Sequence, residues 1–463
     1  YGALRILSYD EVGSIKWISR NEQKNRFKAH DYYRYDYTIA AGESATIRFV
    51  LRKDSTEGAK SYMDALCEMT AFWQNVQSQV RLLPNAEGKL TENMFRQNIT
   101  VMLQMMQRYE NSVDPDMIFA RQGDVGRFIW IWEAVHFLTL LDRVGLSAYV
   151  TDAYRMFFKL WQKQDGDEKG RLDNPYVRWD NTNGSCLAGL SYHLMTVNDP
   201  ALFAEFHDKM NLALQYIQYR RSLATDKEVK GLFSSGQASD WGEIGQHWTY
   251  TDAVNAYGLG IMAKCYEQFD APDAREIREI YTEYHNILMD VQDTFAKEHH
   301  GEHAYNMPHI LGVPFEDSYN HCFYTDGAPY LLLLDIMDPH SELFEQMENF
   351  YRETGFLDDE HGLSAIMTND ACGADGLYGH VYYTGVAEPC WIHAWMERGE
   401  TEKADKYANG ILRYGVTPEF MVSERYSSVD PWFTPWQPNA SGAGRLDHFL
   451  LNYYGERKVD DAE

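Results

Sequence analysis

The sequence predicts a mainly α protein: a closed ring of six helical hairpins, an (α/α)6 barrel, preceded by the end of a β-sandwich. Three observations lead there. About a dozen helix-length amphipathic segments follow one another from Tyr62 onward. They alternate in character, one carrying bulky apolar residues and the next charged on its outer face, as in Asp273-Ala274-Arg275-Glu276-Ile277-Arg278-Glu279-Ile280. Their spacing is irregular and the intervening loops are unequal. A solenoid needs a fixed repeat, whereas a ring of hairpins tolerates unequal loops and gathers them over one mouth.

The elements follow in order. Tyr35–Ile39 and Ala45–Leu51 read as two strands around a turn at Ala41-Gly42-Glu43-Ser44. The chemistry changes around Asp54 to Ala59, so residues 1–54 are expected to end a β-sandwich domain and residues 55–463 to form the barrel. The chain opens at Tyr1, without a methionine and inside strand-like sequence, as expected where an earlier portion is missing. Helices are expected at Tyr62–Val80, Glu92–Tyr109, Phe128–Arg143, Ala148–Gln162, Ser185–Leu194, Pro200–Arg221 and Thr251–Gln268. The series continues with Ala274–Lys297, Ala328–Ile336, Ser341–Tyr351, Glu388–Arg398 and Thr401–Tyr414, and closes with Leu446–Tyr454.

Composition narrows the function. The 463 residues carry a formal charge of −27, and no basic footprint for phosphate is visible, which argues against nucleic acid. The same charge disfavours anionic membrane surfaces and acidic polysaccharides. A neutral sugar meets no such repulsion. No segment approaches the apolar length of a membrane span; Phe128–Leu141 is interrupted by Glu133 and His136. The cysteines, Cys67, Cys186, Cys265, Cys322, Cys372 and Cys390, form no C-x-x-C pair. Several lie in apolar helical surroundings, as buried thiols of a reducing compartment do, which favours a cytoplasmic over a secreted protein. His299-His300 with His303 does not make a convincing ligand framework, so neither a metal nor a cofactor is expected.

Four constellations carry candidate chemistry. Ser423-Glu424-Arg425-Tyr426 sets a carboxylate in a loop beside an arginine, ahead of Trp432, Trp436 and a run of small residues ending at Arg445. Aromatic faces stack on the C–H faces of pyranose rings, while carboxylates bind hydroxyls or move protons. Ser239-Asp240-Trp241-Gly242-Glu243 places two carboxylates around a tryptophan in a glycine-rich loop, where an apolar neighbour or a second carboxylate raises a carboxyl pKa. Arg127-Phe128-Ile129-Trp130-Ile131-Trp132-Glu133 joins a basic residue, two tryptophans and an acid at a helix start. Glu388-Pro389-Cys390-Trp391 enters a helix, with Trp391 equally suited to stacking on a ligand or to a core.

With these residues in hand, the chain from Tyr62 to Tyr454 resembles the six-hairpin glycoside hydrolases, a group that includes glucoamylases, trehalases, processing α-glucosidases and α-L-rhamnosidases. Trp130-Ile131-Trp132-Glu133-Ala134-Val135-His136 is similar to the sugar-clamping segment of that group. The loop through Asp240-Trp241 is similar to the one bearing the general acid, and Glu424 looks like the general base before the last hairpin. The resemblance implies an inverting two-carboxylate mechanism on a terminal neutral sugar, of α-glucoside or α-L-rhamnoside type, in an oligosaccharide or glycoside substrate. Asp240 or Glu243 would be the acid, because Gly242 stands where glucoamylases carry an acid after the tryptophan. Arg127, Trp130, Trp132, Glu133 and Trp241 would hold the sugar, and Trp391, Arg425, Trp432 and Trp436 would complete the wall. The alternatives are a phosphorylase of the same architecture, a lyase or epimerase relying on His321 and Tyr324, and a sugar-binding barrel without turnover.

Overall fold

A computed structural model describes residues 5–8, 14–18, 32–36, 40–44, 49–52, 60–81, 90–108, 118–123, 129–172, 179–236, 245–298, 310–311, 329–334, 336–367, 380–430, 433 and 436–460. The chain divides into two compact units, Tyr1–Ser78 and Gln79–Glu463. The first holds strands β1 (Arg5–Ser8), β2 (Ser14–Ile18), β3 (Tyr32–Asp36) and β4 (Phe49–Arg52). The two strands foreseen there do flank a turn, where Glu43 N–H donates to Ala40 O over 3.0 Å. They do not pair with each other, because β4 lies antiparallel to β1 and β3 to β2. Helix α1 (Tyr62–Gln79) follows. Ser61 caps it, its hydroxyl accepting from Asp64 N–H at 3.1 Å.

The second unit contains the hairpins. Helices α2 (Leu90–Met105), α4 (Thr151–Trp161), α6 (Pro200–Ser222), α8 (Ala274–Glu298), α10 (Glu342–Glu353) and α12 (Thr401–Tyr414) alternate with α3 (Ile131–Arg143), α5 (Thr182–Val197), α7 (Thr249–Gln268), α9 (Tyr330–Leu333), α11 (Glu388–Glu397) and α13 (Ala440–Asp460). The first set is amphipathic and lies outside. Ile277, Tyr284, Leu288 and Phe295 of α8, for example, form one buried stripe. The second set is the inner ring. Helices α5 and α7 are buried on nearly every side, as a helix enclosed by neighbours must be.

The ring closes through close contacts between inner helices. Gly184 N–H of α5 donates to Asn255 Oδ1 of α7 at 2.9 Å. A Cβ on Gly258 would stand 2.1 Å from Gly184 O, so these two backbones touch. Tyr250 of α7 lies 4.9 Å from Tyr330 of α9, ring to ring, and α9 packs on α11. Gly385, just before α11, abuts Arg445 of α13. A Cβ on Gly444 of α13 would stand 2.7 Å from Phe137 Cα of α3, which completes the circle.

Two expectations about elements need correction. The second helix ends at Met105, and Met106–Arg108 form strand β5 against β6 (Ile118–Ala120); a cross-strand partner decides this, which helical periodicity cannot register. The last helix begins at Ala440, not Leu446. Gly442 and Gly444 read as loop residues but serve close helix packing, and Asn439 caps the helix by accepting from Gly442 N–H at 2.6 Å.

Short strands lace the loops preceding the inner helices. Strand β7 (His247–Trp248) pairs with β8 (Ile310–Leu311). A four-stranded sheet of order β12-β11-β10-β9 joins Arg425–Ser427, Val381–Tyr383, Leu363–Met367 and Leu357–Asp358. Cys67 is exposed, Cys186, Cys265 and Cys390 are buried, and all four are free thiols. Cys322, Cys372, His299, His300, His303, His321 and Tyr324 lie outside the described residues.

The α5–α7 contact gives a direct test. Gly258→Ala should destabilise the protein by about 1–3 kcal/mol, because the new methyl meets backbone that cannot rotate away. Chemical denaturation checks it; unchanged stability would show that the two helices are free to separate.

Candidate active site

The first turns of the inner helices meet at one end of the ring. Trp132, at the start of α3, contacts Tyr250 at 6.0 Å and Tyr330 at 6.1 Å, near the starts of α7 and α9. Glu133 reaches α13, where Arg445 Nη1 donates to its Oε2 at 2.7 Å. Tyr383 O–H, from the strand before α11, donates to Glu133 Oε1 at 2.8 Å. The described ends of the Phe233–Thr251 and Glu424–Arg445 loops therefore share one mouth, as the barrel reading requires.

Glu424 is held at that mouth by its backbone. Its N–H donates to Trp436 O at 3.3 Å, and its carbonyl accepts from Thr384 N–H at 3.1 Å. Strand β12 starts at the next residue, so Glu424 sits at a strand edge where a free loop was expected. The side chain is 17% exposed, enough to reach a ligand while its partners hold it. Gln122 Nε2 donates to its Oε2 at 3.4 Å, and Arg425 Nε lies 3.5 Å from its Oε1. Arg425 also lies over the Trp436 ring at 5.0 Å. Gln122 is pinned in turn, its carbonyl accepting from Ala440 N–H at 2.6 Å.

Beneath Glu424 lies a buried ion pair. Glu133 and Arg445 are both nearly inaccessible, and Arg445 Nη2 donates to Ser441 Oγ at 3.1 Å. Burial opposes the Arg445 charge, but Glu133 and the nearby phenols overcome it and hold the guanidinium more firmly protonated than usual. The Tyr383 phenol is pushed well up, first by burial and, against the pull of Arg445, by Glu133 and Glu424. The Tyr383 phenol thus feels both the ion pair and Glu424.

A second polar cluster adjoins the start of α5. Asp180 Oδ1 pairs with Arg220 Nη1 at 3.1 Å. Arg220 also donates from Nε to Ser234 Oγ at 2.6 Å and from Nη2 to Ser235 O at 3.1 Å. Gly236 has no room for a side chain, since a Cβ there would overlap Asp180 Oδ2. Gly236 N–H donates to Gln246 O at 2.9 Å. The stem of the loop bearing Asp240, Trp241 and Glu243 is thereby clamped beside Asp180. Those three residues, with Arg127 and Trp432, lie outside the described residues.

The remaining expected residues divide. Trp130 stacks on Trp179 with centroids 6.4 Å apart, and Trp436 is 39% exposed. Trp391 is wholly buried, against Tyr351, Trp395 and Phe344. It is a core residue between α11 and α10, not part of a ligand wall, because its helix turns that side outward to the neighbouring hairpin. Sequence reading passed over Asp180, Arg220, Tyr383 and Gln122. Only Trp179-Asp180, a tryptophan followed by an acid before an apolar run, carried a local signal.

No family model matches the chain, and no curated protein matches its sequence. Solved structures do match. One is a metal-independent α-mannosidase of Streptococcus pneumoniae in a non-productive complex with α-1,6-mannobiose, at 9% identity and a TM-score of 0.55, covering 86% of this chain and 99% of that one. A second is a wild-type glycosidase at 12% identity and a TM-score of 0.52, covering 79% and 96%. A third is a rhamnosidase from Klebsiella oxytoca with rhamnose bound, at 11% and 0.51, covering 97% and 84%. The chain has the fold of the six-hairpin glycosidases. At these identities the likeness is one of fold, and the chemistry must be argued from the residues themselves.

The sheet behind Glu424 gives a pH prediction. Glu388, the first residue of α11, is wholly buried. Its Oε1 accepts from Ser364 N–H at 3.0 Å and Tyr426 O–H at 3.4 Å, and its Oε2 has no partner among the described residues. Burial pushes its carboxyl up to about 7, against the opposing effect of these hydrogen bonds. The folded value lies above the unfolded one of about 4.3. The stability it contributes is therefore complete below the unfolded value and lost as pH rises through the folded one. The melting temperature should fall between about pH 5 and pH 8, and Glu388→Gln, neutral throughout, should flatten that fall. An identical slope in the variant would show that Glu388 does not titrate on folding.

Proposed function

We propose that the chain is a glycoside hydrolase that releases a terminal neutral sugar with inversion of configuration. The observation that carries the reading is Glu424, a partly exposed carboxylate held at the barrel mouth by Gln122, Arg425 and the Trp436 backbone. A general base must be ionised and must face a water beside the anomeric carbon. Arg425 favours the charged form, and the Gln122 amide fixes the orientation of one oxygen. The helix N-termini that converge at the mouth also favour negative charge there.

The general acid is assigned to Asp240 or Glu243, whose loop is clamped at its stem beside Asp180 and Arg220. The acid protonates the leaving oxygen while Glu424 takes a proton from the water that attacks the opposite face. That arrangement needs the two carboxyls about 6.5–9.5 Å apart. Trp130 and Trp436 offer flat faces for a pyranose ring, and Arg127, Trp132, Glu133, Trp241, Arg425 and Trp432 are assigned to the surrounding wall. The sugar is proposed to be an α-glucoside or α-L-rhamnoside. Because one solved structure of this fold carries mannobiose, α-mannosides join the test panel.

Two predictions follow from this assignment. Glu424→Gln should lower turnover of a natural glycoside by about 10²–10⁴-fold, with little change in affinity for the product sugar by calorimetry. Near-wild-type turnover would remove Glu424 from the role of base. For the acid, one of Asp240→Asn and Glu243→Gln should retain activity on aryl glycosides with good leaving groups and lose it on alkyl glycosides, since proton donation matters only for a poor leaving group. Full activity of both variants on alkyl glycosides would remove this loop from catalysis. The anomer first formed, followed by NMR, tests inversion.

A further inference from the structure

A cavity of about 460 Å³ runs along the inside of the ring, lined by residues on or beside all six inner helices, from Trp132, Tyr330 and Arg445 toward the mouth to Arg143, His448 and Asn452 at the other end. Glu424, Gln122 and Asp180 do not line it. Its wall is largely apolar and aromatic, with Tyr192, Tyr257, Leu334, Ile392 and Phe449. Arg143 joins them as the last residue of α3. Arg143 stands twelve positions after the first residue of that helix, about 18 Å along its axis, so it marks the end of the cavity away from the mouth. It reaches the surface beside Asn452, which is exposed.

The charge balance of this cavity is unusual. Arg143 Nη1 donates to His448 Nδ1 at 2.9 Å and Nη2 donates to Asn452 Oδ1 at 2.8 Å. Both acceptors are neutral. His448 Nε2 lies 3.0 Å from His136 O and donates its proton there, which leaves Nδ1 free to accept. Burial holds both His448 and His136 in the uncharged form. Arg445 also lines the cavity, but Glu133 neutralises it. His393 pairs with Glu397 at 3.6 Å. Arg155, Arg220, Arg352 and Arg398 each have a carboxylate partner. Arg143 has none among the described residues, and the C-terminus of α3 offers it only partial backbone charge. Three of its five N–H donors remain available.

We infer that this cavity is a binding site for a small organic anion, a carboxylate on a planar apolar body. The carboxylate would meet the unused N–H groups of Arg143 in a charge-assisted pair, and the body would lie against Tyr192, Tyr257 and Phe449. A neutral sugar would leave the Arg143 charge uncompensated, and a fully hydrated inorganic anion would leave the aromatic wall unfilled. The Arg143 end of the cavity holds neither Glu424 nor the residues assigned as acid, so the proposal stands whether or not the hydrolase assignment does.

Calorimetric titration of the intact protein with 2-naphthoate and with the neutral 2-naphthamide tests this. Saturable 1:1 binding of the carboxylate is expected, at least about tenfold tighter than the amide. Arg143→Met should abolish that preference while leaving amide binding and glycoside turnover unchanged. Absence of saturable naphthoate binding, equal affinity for the two ligands, or an unaltered preference in folded Arg143→Met would overturn the proposal. If Arg143→Met does not fold, the comparison of the two ligands on the native protein decides by itself.

Discussion

The closed ring depends on one junction, that between the first and last inner helices, made by residues 312 positions apart in the chain. Glu133 and Arg445 meet there at 2.7 Å in the interior. Two charges removed from water cost several kcal/mol each, and their attraction recovers this only with good geometry and with every remaining polar atom satisfied. Tyr383 takes the second oxygen of Glu133, while Ser441 and Thr384 O accept the other guanidinium N–H groups. The pair therefore adds little net stability compared with an apolar contact. It does penalise any arrangement that separates its halves, since an unpartnered buried charge costs about 3–5 kcal/mol. Gly444 permits the same junction sterically by letting α13 lie against Phe137 of α3.

Fixing that junction also fixes the mouth. Ser441 accepts from Arg445 on one side and from Gln122 on the other, and Gln122 in turn donates to Glu424. The residue assigned as base is thus connected to the ion pair through two neutral side chains. Each link is modest, roughly 1 kcal/mol for a typical hydrogen bond. Their value lies in orientation, because a base displaced by about 1 Å loses a large part of its advantage. The small sheet adds rigidity by hydrogen-bonding the segment after Glu424 to the strand that carries Tyr383.

The two ends of the barrel differ because helices have polarity. The inner helices present their N-termini at the mouth, where their partial positive charge attracts anionic groups. Their C-termini lie at the base, where Arg143 is placed and where the wall is apolar. One barrel therefore holds a polar, carboxylate-rich end and an apolar end where Arg143 has no carboxylate partner among the described residues.

The sequence by itself determined the fold class, through alternating amphipathic and uniformly apolar helices, and it singled out Glu424, Trp130, Glu133 and Trp436 because acids beside tryptophans in loops are locally visible. Helix starts were legible where a cap or proline marked them, as at Ser341 and Pro200. Other features depended on partners remote in the chain. The glycines before Leu446 read as a loop because glycine alone is a breaker; only the nearness of Phe137 to Gly444 and of Val422 to Gly442 makes them helical contact residues. Trp391 had equal local claims to a ligand wall and a core, and its contacts with Tyr351 and Phe344 decided for the core. Asp180, Arg220, Gln122 and Tyr383 acquire meaning only when the ring brings their loops together, and the charge on Arg143 stands out only once its three-dimensional neighbours show no carboxylate partner among the described residues. Periodicity is a property of neighbours along the chain, whereas neutralisation, close approach and burial belong to pairs that the closure of the ring brings into contact.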